Sequence, residues 1–358
     1  MKQLLKLTTV MLAVLLSFGT ITQVSANKMK VGFIYIGPPG DHGWTYAHDQ
    51  GRLMLEEQLG DQVETTFVEG VPEGPDAERT IAKLAETGHK LIFTTSFGYM
   101  EPTLKAAKRF PDVKFEHATG YQQADNVATY SARFYEGRYV QGQIAAKMSK
   151  SGVIGYIASF PIPEVVRGIN AFMLGAQSVN PDMKVKVVWV YTWFDPPKEA
   201  DAAKVLMDQG ADMITQHTDS TAAIQAAADR GVLAFGQASD MIHFAPDTQL
   251  TANMNTWGPY YVARTQAVLD GTWTSGDTWH GMGDGMVVMA PFTNMPDSVR
   301  QMATETTAAL TSGKLHAFTG PIHNQAGELV VPAGETADDG MLAGMNFYVK
   351  GVDDKLPE

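Results

Sequence analysis

The chain contains no cysteine among its 358 residues. Disulfide bonds are therefore excluded, and so is a lipid-modified cysteine at a processed N-terminus. Beyond residue 26, no apolar run reaches the roughly 18 residues that a membrane-spanning helix requires. The sequence also lacks a P-loop, a G-x-S-x-G nucleophile elbow and an H-E-x-x-H zinc motif, so the most recognisable signatures of hydrolytic enzymes are missing.

The remaining candidate motifs do not indicate a cofactor. The segment GMGDG (281–285) precedes a strand-like segment, whereas a dinucleotide-binding fingerprint follows one, so it predicts a turn. His316 and His323 have no third ligand at a suitable spacing, so they do not predict a metal site. We therefore expect a protein without cofactor or metal, and one that is not an enzyme.

The charge is strongly acidic. The formal net charge is −12, or −14 if Lys2 and Lys6 are removed with the N-terminal segment. An acidic surface disfavours binding to a phosphate backbone, so a nucleic acid polymer is not expected as a partner. Hydrophobic residues make up 44% of the chain, and its length exceeds what one core usually serves, which favours two lobes.

The N-terminal segment has the three parts of a secretory signal. Lys2 and Lys6 precede an apolar stretch, and small residues in VSA precede an expected cleavage site after Ala26. A signal peptide over 1–26 predicts a chain exported to the periplasm, where the absence of a cysteine leaves it without a lipid anchor.

Strand-like and helix-like segments alternate along the rest of the chain. KVGFIYIG, KLIFTTSF and VIGYIAS are predicted buried strands, and DAERTIAKLAETG is a predicted helix that ends at Gly88. This order predicts parallel, doubly wound sheets, and it restarts near Glu136, which indicates two α/β lobes in tandem. We expect an N-terminal lobe of 27–132 plus about 256–275, a C-terminal lobe of 133–255 plus about 276–325, and an irregular tail over 326–358.

Ligands of open parallel sheets bind beyond the carboxyl ends of the strands. Aromatic side chains are frequent in the segments that follow the predicted strands. They are Trp44, Tyr46, Phe97, Tyr99, Tyr121, Phe160, Trp193 and Phe194. One such residue is ordinarily a lid over the core, but several around one cleft favour a flat ligand held by stacking. Asp41 and Asp240 also follow strands, where turn formation or helix capping is an equally good explanation.

The ordered set of these segments resembles the basic membrane protein family of ABC-transporter substrate-binding proteins, the purine nucleoside receptor A group. KVGFIYIGPPGDHGWTYAHDQG is similar to the first strand of the family and its D-x-G-[FW]-[NT] turn, and GQASD resembles its aspartate turn. WFDPPKEADAAKVLMDQGADMI and QLTANMN are similar to later family segments, so the resemblance covers nearly the whole chain after residue 26.

The resemblance implies a type I periplasmic-binding fold, with two doubly wound α/β lobes joined by three strands. It implies a non-enzymatic receptor for a purine base or nucleoside that delivers its ligand to an ABC transporter permease. Trp44 would form one stacking wall and Trp193 or Phe194 the other, with Asp41 and Asp240 as polar contacts. We also expect a monomer, because closure of the lobes requires them to be free.

Two positions depart from the family pattern. Asn255 stands where the family usually has a lysine near the sugar hydroxyls, and Thr119 stands where nucleoside binders often have an acidic residue. Without the lysine and the acidic residue, the site has fewer groups to bind a sugar. A smaller ligand, such as the base adenine or hypoxanthine, is therefore expected at least as much as a nucleoside.

Two other functions remain open at this point. A receptor for a sugar or another small solute would use the same fold. A periplasmic nucleosidase is less favoured, because no cluster of carboxylates accompanies the first strand.

The expected ligand-binding residues are Asp41, Trp44, Tyr46, Phe97, Tyr99, Thr119, Trp193, Phe194, Asp240 and Asn255.

Overall fold

A computed structural model describes residues 27–357, so the predicted signal peptide lies outside the described residues. The strands are β1 (Met29–Ile34), β2 (Val63–Val68), β3 (Leu91–Thr94), β4 (Lys114–Ala118), β5 (Val127–Ala132), β6 (Val153–Ala158), β7 (Lys184–Trp189), β8 (Met213–His217), β9 (Leu233–Ala238), β10 (Gln249–Asn255), β11 (Asp277–His280), β12 (Val287–Met289), β13 (Ile322–His323) and β14 (Leu329–Val331). The helices are α1 (Trp44–Leu59), α2 (Pro75–Glu86), α3 (Met100–Arg109), α4 (Phe134–Met148), α5 (Pro163–Gln177), α6 (Pro196–Asp208), α7 (Ala222–Ala228), α8 (Gly258–Leu269), α9 (Asp297–Thr311) and α10 (Asp339–Ala343).

The strands form two six-stranded sheets, one in each lobe. The first has the order β11-β5-β4-β3-β1-β2 and is parallel throughout. The second has the order β12-β10-β9-β8-β6-β7, with only β12 antiparallel. All four residues of β3 are buried, as expected of a strand in a parallel sheet whose faces are both covered by helices. The predicted doubly wound, two-lobed fold is confirmed.

The chain crosses between the lobes three times. The crossings join β5 to α4, β10 to α8, and β11 to β12. The predicted turn GMGDG forms the third crossing, and the carboxylate of Glu136 on α4 accepts a 2.6 Å hydrogen bond from the Met282 amide within it. The three crossings correspond to the three-stranded hinge that the resemblance implied.

Two expectations about the C-terminal half differ from the structure. The strand Asp277–His280 was expected in the second lobe, but it pairs in parallel with β5 and completes the first sheet. The expected irregular tail contains β14, which forms an antiparallel pair with β13, and the short helix α10. The tail is also anchored, because Asn170 on α5 donates a 2.7 Å hydrogen bond to the Phe347 carbonyl.

The loops of the two lobes touch one another across the cleft. Ser239 donates a hydrogen bond to the His42 carbonyl, and a Cβ added at Gly43 would stand 2.0 Å from the Asp219 carbonyl oxygen. The ring of Phe194 approaches Gly37 from the opposite lobe. The structure therefore shows a closed arrangement of the lobes.

Candidate ligand-binding site

A cavity of about 300 Å³ lies where the carboxyl ends of the two sheets face each other. Its lining residues are Ile36, Trp44, Ser96, Phe97 and Thr119 from the first lobe and Glu164, Trp193, His217 and Asp219 from the second. It adjoins a wider, more open space of about 1260 Å³ that shares Phe97, Thr119 and Glu164 with it. Both spaces lie beyond the carboxyl ends of the strands, where ligands of open parallel sheets bind.

Trp44 is the most firmly held wall of this cavity. It lies in the first turn of α1, rather than in the turn that the sequence suggested, and is only 8% exposed. Its indole nitrogen donates a 2.7 Å hydrogen bond to the Thr95 carbonyl, and its ring packs edge-on against His48 and Trp257. These contacts fix the ring plane before any ligand arrives.

Trp193 is the wall supplied by the second lobe. It lies in the loop between β7 and α6, is partly buried, and packs against Phe160 at a centroid distance of 5.1 Å. Its indole nitrogen donates a 3.2 Å hydrogen bond to Glu73 of the first lobe. Two indoles from opposed lobes therefore line one cavity.

The floor on the second-lobe side carries polar groups. The imidazole of His217, at the end of β8, lies 3.3 Å from a carboxylate oxygen of Glu164 in the first turn of α5. Burial lowers the pKa of His217, and the neighbouring Glu164 only partly offsets that effect, so the imidazole is neutral near pH 7. A neutral imidazole and a carboxylate can together accept and donate hydrogen bonds to a heterocycle.

Asp219 is a buried carboxyl group with no charged partner of opposite sign. It is 3% exposed, and no described residue donates a hydrogen bond to its side chain. Burial raises its pKa well above the usual range for aspartate, and the nearby carboxylates of Asp41, Glu199 and Glu164 raise it further. The raised pKa favours the protonated form of the side chain, which can donate a hydrogen bond as well as accept one.

Asp41 shapes the start of α1. One carboxylate oxygen accepts hydrogen bonds from the Gly43 and Tyr46 amides at 2.8 and 2.9 Å, and the other accepts one from the Thr45 amide at 3.0 Å. Burial raises the pKa of Asp41 to about 6, although the backbone donors work in the opposite direction. Asp41 therefore caps the N-terminus of α1, which is one of the two explanations that the sequence allowed for it.

Thr119 lines both cavities with an unusual backbone. Its φ is +60°, a conformation that a β-branched residue rarely adopts. Its amide donates a 2.7 Å hydrogen bond to the Tyr130 carbonyl, which helps to hold this geometry. Backbone strain of this kind is concentrated at functional sites in proteins.

The structure divides the predicted ligand residues into groups. Trp44, Phe97, Thr119 and Trp193 share the enclosed cavity. Tyr46, Asp240 and Asn255 line a separate pocket of about 730 Å³ on the other side of the first turn of α1. Phe194 lies against Gly37 at the contact between the lobes.

Tyr99 does not reach either pocket. It is fully buried in the core of the first lobe, and its hydroxyl donates a 2.5 Å hydrogen bond to the Val71 carbonyl. Asp240 is exposed and accepts hydrogen bonds from the Ile242 amide and from Gln249, which is the turn-forming role that was its alternative. Their roles in ligand binding therefore stay predictions that no contact supports.

Three titratable residues of the cavity escaped the sequence analysis. His217 is the last residue of β8 and Asp219 lies two residues beyond it, so their position at a strand end was a usable signal, but neither was among the aromatic residues considered. Glu164 begins helix α5, and nothing in its local sequence distinguishes it from an ordinary first-turn acidic residue.

Two α/β lobes, three crossings and an enclosed cavity between the strand ends define a bilobal substrate-binding protein of the type I periplasmic class. The family model described as "ABC transporter substrate-binding protein PnrA-like" matches residues 28–314. The chain belongs to this family, and the predicted resemblance is confirmed. Proteins of this class bind a small ligand and work with a membrane permease.

Similar proteins differ in the ligands for which they are named. A purine-binding protein of Brucella abortus (strain 2308) is 71% identical over 332 residues, covering 93% of this chain and 95% of that protein. A protein of Haloferax volcanii that is named for glucose binding by an ABC transporter is 37% identical, covering 92% of this chain and 82% of that protein. The solved structure of an ABC-transporter solute-binding protein from Aeropyrum pernix K1 covers 88% of this chain and 95% of its own, with a TM-score of 0.70 at 19% identity, which supports the fold alone.

Among residues 27–357, no helix has the length and hydrophobicity needed to cross a membrane. Within the same residues, no cluster of three or more histidine or acidic side chains is arranged to hold a metal ion.

Proposed function

We propose that the chain captures a purine base, such as adenine or hypoxanthine, between Trp44 and Trp193 and presents it to an ABC transporter permease. The observation that supports this proposal is the cavity between the lobes, which has one indole from each lobe in its walls. A planar heterocycle gains from stacking on each ring, about 1–3 kcal/mol per aromatic contact.

The polar groups of the cavity are suited to the edges of a purine. Adenine presents an amino donor and ring-nitrogen acceptors. Glu164 can accept from a donor, and Asp219, whose raised pKa favours its protonated form, can donate to an acceptor. The carboxylate of Glu164 disfavours a phosphate, so nucleotides are expected to bind poorly.

Thr119 lines this cavity in place of the acidic residue that nucleoside binders often have, which favours the base over the nucleoside. A nucleoside would need room for its sugar, and the wider space beyond Thr119 would have to receive it. The similarity to the purine-binding protein of Brucella abortus supports a purine ligand but does not separate these two forms.

A sugar is the second candidate ligand. The relative from Haloferax volcanii is named for glucose, and sugars also stack on tryptophan and bond to carboxylates. The absence of catalytic motifs in the sequence leads us to propose binding without turnover, by a monomer acting in the periplasm.

Isothermal titration calorimetry of the purified chain tests this function. The panel is adenine, hypoxanthine, guanine, their nucleosides and glucose. Binding of a base more tightly than of its nucleoside supports the proposal, whereas binding of glucose and of no purine overturns it. Incubation with inosine, followed for release of hypoxanthine, tests the proposal of binding without turnover.

A further inference from the structure

Glu73 lies at the mouth of the cleft, on the side opposite the hinge. It belongs to the loop between β2 and α2, and its partner Trp193 belongs to the loop between β7 and α6. β2 and β7 are the edge strands of their sheets, whereas β5, β10 and β11, from which the three crossings start, lie at or next to the other edges. A contact at this position is far from the crossings, so separation of the lobes pulls its two sides apart.

The carboxylate of Glu73 is held in place by its own lobe. Its Oε1 atom accepts a 2.6 Å hydrogen bond from the Ser96 hydroxyl and a 2.9 Å hydrogen bond from the Gly98 amide. Both donors belong to the first lobe, so they remain when the cleft opens. The acceptor is therefore oriented before the second lobe arrives.

The third hydrogen bond to the same oxygen crosses the cleft, whereas the first two lie within the first lobe. The indole nitrogen of Trp193 donates it at 3.2 Å, and Trp193 is also a wall of the cavity. Ser96, which orients Glu73, lines that cavity as well. One carboxylate thus joins the outer wall of the cavity to the opposite lobe.

We propose that Glu73 is a latch that positions Trp193 over the bound ligand and sets the rate at which the ligand leaves. In the closed form, the ligand supports one face of the Trp193 ring while Glu73 fixes the indole nitrogen. In the open form, Trp193 loses both contacts. Closure and stacking are therefore one event, since neither is complete without the other.

The test uses the full chain with adenine as the probe and therefore rests on the purine function proposed above. Glu73→Ala removes the acceptor, and Glu73→Gln retains a side-chain oxygen in its place. Glu69→Ala is the matched control, because it removes an exposed carboxylate from the same loop. A hydrogen bond to a charged acceptor at a partly buried site predicts a dissociation rate at least about 10-fold faster for Glu73→Ala, measured by stopped-flow tryptophan fluorescence. Glu73→Gln is expected to stay within about 3-fold of the wild type.

A double-mutant cycle separates a latch from a general packing role. Trp193→Phe keeps an aromatic wall but removes the donor. If the hydrogen bond acts as the latch, adding Glu73→Ala to Trp193→Phe causes no further acceleration. Additive effects, or an unchanged rate in Glu73→Ala, overturn the latch. Failure of the wild type to bind any purine overturns the proposed function instead, so the two failures are distinguishable.

Discussion

At the scale of single residues, the two indoles of the cavity are held in different ways. Trp44 belongs to the core of the first lobe and is fixed by the Thr95 carbonyl and by neighbouring rings. Trp193 is only partly buried and is fixed by Phe160 and by the opposite lobe. One wall is therefore preformed, and the other is completed on closure.

This difference predicts different consequences of removing each ring. Trp193→Ala should weaken adenine binding by about 1–3 kcal/mol, the usual range for one stacking contact, with little loss of folding stability. Trp44→Ala should weaken binding and also lower the free energy of unfolding by about 3–5 kcal/mol, because it removes a buried indole. Calorimetry and urea denaturation of both variants measure the two effects. Equal losses of stability would contradict the assignment of Trp44 as the preformed wall.

Residue types alone could not identify the site completely. The sequence predicted that strand ends would carry the ligand contacts, and Trp44, Phe97, Thr119 and Trp193 do line one cavity. The sequence could not predict that Phe97 lines the cavity while Tyr99 does not. A 3-10 turn over Phe97–Tyr99 directs the ring of Phe97 to the cleft and the ring of Tyr99 to the core. Such a rotation depends on the dihedral angles of a few residues, which the sequence pattern does not encode.

At the scale of elements, helices α4 and α5 show why the crossover helix contains glycine. A Cβ at Gly142 would stand 1.9 Å from the Phe172 carbonyl oxygen, and one at Gly175 would stand 2.1 Å from the Tyr139 carbonyl oxygen. The two helix backbones therefore touch directly. This packing holds α4, which starts at the first crossing of the hinge, firmly to the second lobe.

Gly142→Ala should lower the free energy of unfolding by about 1–3 kcal/mol, because the backbone oxygen that it meets cannot move aside cheaply. Alanine is the better helix former by about 1 kcal/mol, so a helix without this contact would be stabilised instead. The sign of the change therefore decides between the two effects. Urea denaturation measures it, with Gly276→Ala as the control, since an added Cβ there meets no neighbour. A more stable Gly142→Ala variant would contradict the close packing.

The sequence predicted the helices and strands themselves more reliably than it predicted which strands pair with one another. The helix predicted from DAERTIAKLAETG is present as α2, with Ile81, Leu84 and Ala85 buried, because its periodicity is a local property. The strand β11 joined the first sheet against expectation. It has four residues and none is fully buried, so no local pattern indicates which sheet it completes.

At the scale of the whole molecule, closure brings the carboxyl group of Asp41 in the first lobe close to that of Asp219 in the second. Asp219 faces Asp41 from the loop before α1, Glu164 from α5 and Glu199 from α6. His217, also in the cavity, is held neutral by burial and does not supply a positive charge. Opening the cleft separates Asp219 from the first lobe and admits water, which should return its pKa towards the ordinary value.

Ligand binding should therefore be coupled to uptake of a proton. Because the pKa of Asp219 is higher in the closed form than we expect in the open form, the closed form binds the proton more tightly. The affinity for adenine should be highest at low pH and should fall as the pH rises from the ordinary aspartate value towards the raised one. Calorimetry from about pH 5 to about pH 8, in buffers of different ionisation enthalpy, measures both the slope and the number of protons taken up.

Asp219→Asn should remove most of this slope, because the amide can still donate a hydrogen bond but does not titrate. Its affinity should therefore exceed that of the wild type at the upper end of the range. Asp41 has a pKa of about 6 and titrates in the same interval, so Asp41→Asn is measured alongside to assign any residual slope. An Asp219→Asn variant with the wild-type pH dependence would mean that Asp219 keeps the same charge in the open and closed forms.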